Sequence, residues 1–416
     1  MSIGCESSGL CRFCGSTLRY TFADLGMSPP CESNLDLQQL NQMEPFYPLR
    51  AFVCHECFLV QLEEYVSPHA IFTEYAYFSS YSSRWLAHAR AYTDLAVERF
   101  HLDENSLVIE LASNDGYLLQ YFVQKGIPVL GIEPAANVAE EARKKGIPTL
   151  VKFFGREMAT DLACNGKQAD LVVGNNVLAH VPDLRSFVRG MKILLKPEAV
   201  ITLEFPHLMR LMEGNQFDTI YHEHFSYFSF LTVMKIMATF DLTIFDVDEL
   251  CTHGGSLRIY VRHTQDLSHP ETGRVRELAA REERAGFGRL ETYLSFDEKV
   301  KETKRRILTF MIGVKSAHRS IAGYGAPGKG NTLLNYCGIR TDFLDYTVDR
   351  NPYKHGKFLP GTHIPIFPPE KIRETRPDYV LILPWNLKHE IREQLFYIRE
   401  WGGKFVVPIP KVDIFQ

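Results

Sequence analysis

The densest group of reactive side chains lies in one short segment rich in histidine and aromatic residues, which reads YHEHFSYFS over residues 221–229. Histidine titrates near neutral pH and can remove a proton that an adjacent carbonyl has acidified. A neighbouring carboxylate can orient the imidazole ring and stabilise its protonated form. The segment therefore predicts a general base, with a metal-chelating H-x-H pair and a purely structural role as the alternatives.

Two cysteine pairs could hold a metal ion. Cys11 and Cys14 form one C-x2-C pair, and Cys54 and Cys57 form a second pair further along the chain. Each pair allows two thiolates to face one tetrahedral cation, and four protein ligands leave no open position. We therefore predict a structural rather than a catalytic Zn²⁺ ion. Unrelated cysteines or a redox pair are the alternatives.

A third group of polar residues follows three apolar, strand-like runs. The predicted cofactor contacts in these turns are Glu110, Ala112, Asn114, Asp115, Gly116, Glu133, Asn175 and Asn176. A tight turn after a strand lets backbone amides approach a ligand, and an acidic residue about twenty positions further on can bind ribose hydroxyls. Anions in the first turn favour a sulfonium over a pyrophosphate, which they would repel. This pattern favours S-adenosylmethionine, with NAD or a ligand-free structural turn as alternatives.

The elements that position these residues alternate between strand and helix. Short apolar runs and helical patterns alternate from about residue 85 to 265, and a second such pattern begins with SIAGYGAPGKGNTLLNY. This alternation predicts an α/β fold with parallel sheets covered on both faces. We expect a zinc module at 1–70, a Rossmann-like domain at 71–265, a helical connector at 266–310 and a second Rossmann-like domain at 311–416.

Composition limits the classes of function. The chain has 416 residues, a net charge of −4 and 23% charged residues, which is typical of globular enzymes and lacks the basic excess of nucleic-acid binders. We find no apolar run of about 18 residues and no signal-peptide pattern, so we expect a cytoplasmic protein without a membrane partner. The nine cysteines then favour metal ligands or buried thiols over disulfides.

Taken together, these motifs resemble the sugar C-methyltransferases that build branched deoxysugars. The resemblance covers nearly the whole chain and includes the cysteine pairs, the E-x-x-x-N-D-G turn, the G-x-E-P strand, the Y-x-E-H-F segment, HGG at 253–255 and a late GYGA turn. It implies a class I methyltransferase domain that uses S-adenosylmethionine. It also implies a dTDP-linked 4-keto-6-deoxy sugar, which loses its C3 proton and is then methylated at that carbon.

The resemblance also assigns roles to individual residues. His224 resembles the base and Glu223 its partner, while the residues that position the sugar and its enolate oxygen are Tyr221, His180 and Tyr77. Further substrate contacts are expected from Tyr75, His253, Gly325 and Lys329, the last as a phosphate contact unless its turn only packs. One departure is His222, which stands where the sugar enzymes have an aspartate.

The expected partner is a small nucleotide sugar bound by a monomer or homodimer, without nucleic acid. Three rival functions stay open. The chain could methylate a different acceptor on carbon, oxygen or nitrogen. It could also be an NAD-dependent oxidoreductase or a non-catalytic zinc scaffold.

Overall fold

The structure, a computed structural model, describes residues 9–67 and 78–416. The strands of these residues form three sheets of four, seven and six strands. In chain order they are β1 (Tyr20–Ser28), β2 (Tyr47–Val53), β3 (Val60–Leu62), β4 (Val108–Leu111), β5 (Val129–Ile132), β6 (Thr149–Leu150), β7 (Ala169–Asn175), β8 (Leu195–Pro206), β9 (Ser226–Tyr227), β10 (Leu242–Leu250), β11 (Ser256–His263), β12 (Ile321–Tyr324), β13 (Thr347–Val348), β14 (Ile366–Phe367), β15 (Tyr379–Ile382), β16 (Lys404–Val407) and β17 (Asp413–Phe415).

The α-helices connect these strands and cover the two larger sheets. They are α1 (Ser83–Phe100), α2 (Leu119–Gln124), α3 (Ala136–Lys144), α4 (Arg156–Cys164), α5 (Leu184–Leu194), α6 (Leu208–Glu213), α7 (Phe230–Thr239), α8 (Gly273–Arg284), α9 (Leu290–Leu294), α10 (Phe296–Ser316), α11 (Gly328–Cys337), α12 (Lys371–Thr375) and α13 (Lys388–Gln394). Short 3-10 helices lie at Leu37–Asn41, Ser79–Tyr81, Leu178–His180, Phe217–Thr219, Thr252–Gly254, Pro352–Lys354, Trp385–Leu387 and Phe396–Trp401.

The seven-stranded sheet has the order β6-β5-β4-β7-β8-β11-β10. Strands β4 to β8 of this sheet are parallel, whereas β11 pairs antiparallel with both β8 and β10. The chain moves from β4 to one side of the sheet and returns on the other side at β7. Open α/β sheets bind ligands at such a switch point, outside the carboxyl ends of the strands.

The six-stranded sheet repeats this logic. Its order is β14-β13-β12-β15-β16-β17, and only β17 pairs antiparallel. The switch point therefore lies between β12 and β15. The α/β class and the second Rossmann-like sheet predicted from the alternating pattern are confirmed.

The four-stranded sheet, β1-β2-β3-β9, joins distant parts of the chain. Its first three strands come from the cysteine-bearing head, whereas β9 belongs to the histidine-rich segment. One hydrophobic core packs Phe52 and Leu59 of the head with the seven-stranded sheet, and a second packs Phe22 and Ala51 with the six-stranded sheet. The head is thus wedged between the two larger sheets.

The stretch predicted as a helical connector forms α8, α9 and α10, and α10 runs past residue 310 to Ser316. Helix α10 buries Phe296, Val300 and Ile307 in the second core, so it is a packing element as well as a link. Among the described residues, no helix is both long and apolar enough to cross a membrane.

Candidate active site

One cavity of about 600 Å³ lies where the switch points of the two larger sheets meet. Eleven of the residues that the sequence singles out line it: Ala112, Asn114, Glu133, Asn175, Asn176, His180, Tyr221, Glu223, His224, His253 and Lys329. Four others do not line it: Glu110, Asp115, Gly116 and Gly325. Tyr75 and Tyr77 lie outside the described residues.

We call the part of the cavity beside the seven-stranded sheet the cofactor half, because the predicted cofactor contacts lie there, and Glu133 holds its backbone in place. Its carboxylate accepts hydrogen bonds from the backbone N–H groups of Asn114 and Ala135, each at 2.9 Å. Burial raises the pKa of Glu133, while these two amides act in the opposite direction. The carboxylate therefore ties the first turn to the end of β5 and keeps lone pairs available to accept ribose hydroxyls.

Asn175 and Asn176, at the end of β7, give the clearest evidence that this part of the cavity binds a polar ligand. The side-chain nitrogen and oxygen atoms of both residues are buried without a hydrogen-bond partner among the described residues. Buried polar atoms are normally paired, so four unpaired atoms beside one cavity indicate a polar ligand. Together with Glu133 they fit the polar groups of S-adenosylmethionine.

The acidic residues at and after the end of β4 lie next to this site but do not line the cavity. Asp115 forms an ion pair with Lys145 at 3.1 Å, which neutralises one of the charges expected to face a sulfonium. Burial raises the pKa of Glu110 well above its ordinary range, and the charges of Glu133 and Asp115 raise it further. Gly116 has φ +73°, and a Cβ there would meet Ile147 at 2.2 Å. Direct cofactor contact by these three residues stays a prediction.

His224 is presented to the cavity as a neutral base. Its Nδ1 hydrogen bonds to the carbonyl of Thr219 at 3.0 Å, and because a carbonyl only accepts, Nδ1 carries the proton and Nε2 is free to take one. Burial lowers the pKa of His224 well below its usual value, and the positive charge of a protonated His180 would lower it further. The ring of Tyr221 lies 4.1 Å from the His224 ring, measured between centroids.

The structure gives Nδ1 of His224 a main-chain partner, and the pairing of His224 with the Glu223 carboxylate stays a prediction. The partner that orients His224 at Nδ1 is Thr219 rather than Glu223, because the tight turn before β9 folds residue 224 back over residue 219. The Glu223 carboxylate instead accepts from the thiol of Cys31 at 3.9 Å. A backbone carbonyl acting through a turn has no signature in the sequence, which is why Thr219 was missed.

His180 lies next to His224, with 4.7 Å between the ring centroids. Its Nδ1 donates to the backbone carbonyl of Glu223 at 2.8 Å, so its Nε2 is also unprotonated in the neutral ring. Burial lowers the pKa of His180 to about 4. The role of Glu223 that the structure does show is therefore to orient His180 through its main chain.

The six-stranded sheet contributes Lys329, near the start of α11. Its Nζ donates to Asn386 at 3.1 Å and lies 4.8 Å from the centroid of the Trp385 ring. Trp385 in turn donates to the buried carboxylate of Asp218 at 2.7 Å. Burial raises the pKa of Asp218 to about 6, against the charge of Lys329. Sequence patterns gave no signal for Trp385 or Asp218, because the two residues meet only through the contact between sheets.

His253 lies on the Thr252–Gly254 turn and has φ +53°. This turn is held by the buried Glu204, whose carboxylate accepts from Thr252 at 3.1 Å and from Arg258 at 2.9 Å. Burial lowers the pKa of His253 to about 4. The buried Glu204–Arg258 pair was not predicted, although it fixes one wall of the cavity.

The four predicted metal ligands lie together in the head. The sulfur atoms of Cys11, Cys14, Cys54 and Cys57 are all within 4.8 Å of one another. Sulfurs around tetrahedral zinc, with bonds of about 2.3 Å, are separated by about 3.8 Å. The set therefore fits a closed, structural zinc site.

The zinc module also holds the segment that carries His224. Leu62 donates to the Phe225 carbonyl at 3.0 Å, and Thr232 donates to the Cys57 carbonyl at 3.1 Å. His222 faces this module rather than the cavity, with Nε2 at 3.2 Å from the Pro48 carbonyl. The cysteine pairs and the base are thus mechanically connected.

Comparison with known families gives three matches along the chain. Family models match at residues 11–72 (“Putative zinc binding domain”), 85–247 (“Methyltransferase domain”) and 251–410 (“C-methyltransferase C-terminal domain”). With the fold and the cavity, they define the class: an S-adenosylmethionine-dependent methyltransferase with a structural zinc module.

The chain is 35% identical over 406 residues to the C-methyltransferase NovU of Streptomyces niveus, an alignment that covers 98% of this chain and 96% of that protein. The chain therefore belongs to the C-methyltransferase family that includes NovU. A ubiquinone biosynthesis O-methyltransferase of Haemophilus ducreyi is 31% identical over 102 residues, which is 23% of this chain and 43% of that protein. A solved structure of magnesium protoporphyrin IX methyltransferase from Synechocystis is similar to this chain with 16% sequence identity and a TM-score of 0.32. The match covers 43% of this chain and 78% of that chain. That likeness is too low to bear on function.

Proposed function

We propose that this C-methyltransferase acts on a nucleotide-linked 4-keto-6-deoxy sugar and that His224 removes the C3 proton before the methyl group is transferred to that carbon. The observation that carries the proposal is the geometry of His224, whose unprotonated Nε2 shares one cavity with the cofactor half. A carbon beside a ketone becomes nucleophilic once its proton is removed, and a positioned histidine suits that step. Another carbon acid on a carrier-linked metabolite is the second candidate.

In this proposal, different residues bind the cofactor and remove the proton. When bound, S-adenosylmethionine supplies an electrophilic methyl group, and Glu133, Asn175 and Asn176 would hold its polar groups. Nε2 of His224 accepts the C3 proton, while the Thr219 carbonyl keeps the opposite nitrogen protonated. The electron pair released from C3 moves onto the ketone oxygen. The carbonyl then re-forms as C3 bonds to the methyl carbon, whose bond to sulfur breaks.

The remaining substrate contacts belong to the same proposal. Tyr221 and His180 flank His224 and would position the sugar. Tyr77 and Tyr75, which lie outside the described residues, are proposed as further substrate contacts. His253 and Lys329 line the side formed with the six-stranded sheet, towards which the nucleotide would extend. In this account the domains are the zinc module at 1–70, the methyltransferase domain at 71–265, the connector at 266–310 and the nucleotide-sugar unit at 311–416.

The test is to incubate the zinc-loaded protein with a dTDP-linked 4-keto-6-deoxy sugar and S-adenosylmethionine carrying an isotope-labelled methyl group. We expect carbon NMR to show the label bonded to C3 of the sugar, in a product whose methyl group survives acid and base. A mixture without sugar serves as the control. If the protein binds S-adenosylhomocysteine but forms no labelled sugar, the acceptor must be sought among other carbon acids. A label bonded to oxygen would contradict the proposal.

A further inference from the structure

Lys329 lies in the wall of the same cavity as His224 and His253, although its glycine-rich turn suggests a phosphate contact. Its Nζ lies 4.8 Å from the centroid of the Trp385 ring, which packs on Gly254, the residue next to His253. This cation lines the cavity that contains the base. It is well placed for charge that develops on the sugar itself.

The turn around Lys329 is not built to receive a phosphate. The first amide of α11, on Gly328, already donates to the carboxylate of Glu32 at 2.9 Å. Glu32 also lines the cavity and pairs with Lys354 at 3.0 Å. A diphosphate at this helix terminus would have to displace a carboxylate of like charge.

The glycine of the same turn has a packing role. Gly325 has φ +90°, and a Cβ there would meet Pro384 at 2.5 Å. The glycine is therefore required by contact with the neighbouring loop, and it does not line the cavity.

The surroundings of Lys329 hold its ammonium group in a fixed direction. Asn386 accepts one of its three hydrogens, and the Trp385 ring lies beneath the group. Burial lowers the pKa of Lys329, and the charge of the buried Asp218, which accepts from the same tryptophan, opposes that shift. Trp385 also packs on Gly254, whose Cβ position it would reach at 2.6 Å, so this cluster abuts the turn of His253.

We propose that Lys329 is a further catalytic residue, whose ammonium group donates a hydrogen bond to the ketone oxygen of the substrate as negative charge develops there. The inference rests on the proposed function. His224 takes the C3 proton, the pair from the C3–H bond moves onto the oxygen, and Lys329 stabilises that oxyanion without giving up its proton. As the carbonyl re-forms, C3 bonds to the methyl carbon, and the bond between that carbon and sulfur breaks to leave S-adenosylhomocysteine. Preorganised donors at a developing oxyanion are among the strongest contributions to catalysis.

The test measures exchange of the C3 hydrogen of a dTDP-linked 4-keto-6-deoxy sugar in deuterated water, with zinc-loaded protein and S-adenosylhomocysteine. Exchange reports deprotonation without methyl transfer. We expect Lys329→Gln to slow exchange by about 10²–10³-fold, the loss typical of removing one oxyanion donor. Lys329→Arg, which keeps the charge, should retain more exchange than Lys329→Gln. Binding of dTDP should change little in either variant.

Lys371→Gln is the matched control, because this lysine of α12, in the same C-terminal unit, pairs with Glu374 on the surface. It should exchange at the wild-type rate. Unchanged S-adenosylhomocysteine binding verifies that Lys329→Gln is folded. Wild-type exchange in Lys329→Gln would overturn the inference, and so would a parallel loss of dTDP affinity, which would identify a phosphate contact. Absence of exchange in the wild-type protein would instead count against the proposed function.

Discussion

At the scale of residues, the proposed activity depends on burial, which lowers the pKa of His224. Three histidines, His180, His224 and His253, line one cavity, and burial lowers the pKa of each. All three therefore favour the neutral form at neutral pH. For His224, the bond to Thr219 also decides which nitrogen is free. A neutral histidine with a free Nε2 is what proton removal requires.

This arrangement predicts the pH dependence of kcat/KM. A base is active only when unprotonated, and the His224 pKa is lowered, so activity should be retained below the ordinary histidine value of 6.5 and lost only as the pH falls through the lowered pKa. Initial rates of methyl transfer between pH 4 and 9 provide the measurement, with circular dichroism at each pH to exclude unfolding. An acid limb centred at or above 6.5 would contradict the account of His224.

At the scale of elements, a buried glutamate fixes the helix that follows the catalytic segment. Glu282 of α8 is fully buried and accepts from the backbone N–H groups of Phe230 and Leu231 at the start of α7, each at 2.8 Å. It also contacts Nε2 of the buried His207 at 2.6 Å. One carboxylate thus ties α8, α7 and the end of β8 together.

Glu282→Ala should therefore destabilise the fold. It leaves two helix-terminal amides and a buried histidine without their acceptor, and we expect a loss of about 3 kcal/mol in the free energy of unfolding. Denaturant titration followed by circular dichroism measures the change. Glu283→Ala, at the exposed neighbouring position of the same helix, is the matched control and should change stability by less than about 0.5 kcal/mol. Equal stability of the two variants would show that Glu282 has no such role.

The sequence predicts those elements whose pattern lies within one short stretch of the chain. Alternating strands and helices predicted the two Rossmann-like sheets, and paired spacing predicted the four sulfurs, which the structure brings within 4.8 Å. The pairing of β9 with β3 could not be predicted, because a two-residue strand joins a partner more than 150 positions away. The same holds for the Thr219 carbonyl and for Glu32 at the start of α11. Each depends on contacts that form only after the modules pack.

At the scale of the whole molecule, the cavity is lined by residues from the units that surround all three sheets. The seven-stranded sheet supplies Glu133 and Asn175, the six-stranded sheet supplies Lys329, and the head supplies Cys31 and Glu32. Because β9 also pairs with the head, the position of His224 depends on the zinc module. The structural metal should therefore affect catalysis more than cofactor binding.

Cys54→Ser tests this dependence. We expect loss of zinc and a fall in turnover of about 10²-fold, since small displacements of a catalytic group have effects of that size. S-adenosylhomocysteine should still bind, because the cofactor half lies on the seven-stranded sheet. Metal analysis, calorimetry and initial rates give the three readouts. The control is Cys164→Ser, an exposed cysteine on α4. Full turnover in a zinc-free Cys54→Ser protein would refute the coupling.

The central claim, that His224 is the base, is tested most directly by exchange of the substrate's C3 hydrogen in deuterated water. With S-adenosylhomocysteine bound, the wild-type protein should introduce deuterium at C3, and His224→Gln should slow this by about 10²–10⁴-fold, the usual contribution of a general base. His222→Gln, two positions away but facing the head, should exchange at a rate close to that of the wild type. Exchange at the wild-type rate in a folded His224→Gln protein would contradict the account and assign the proton transfer to another group.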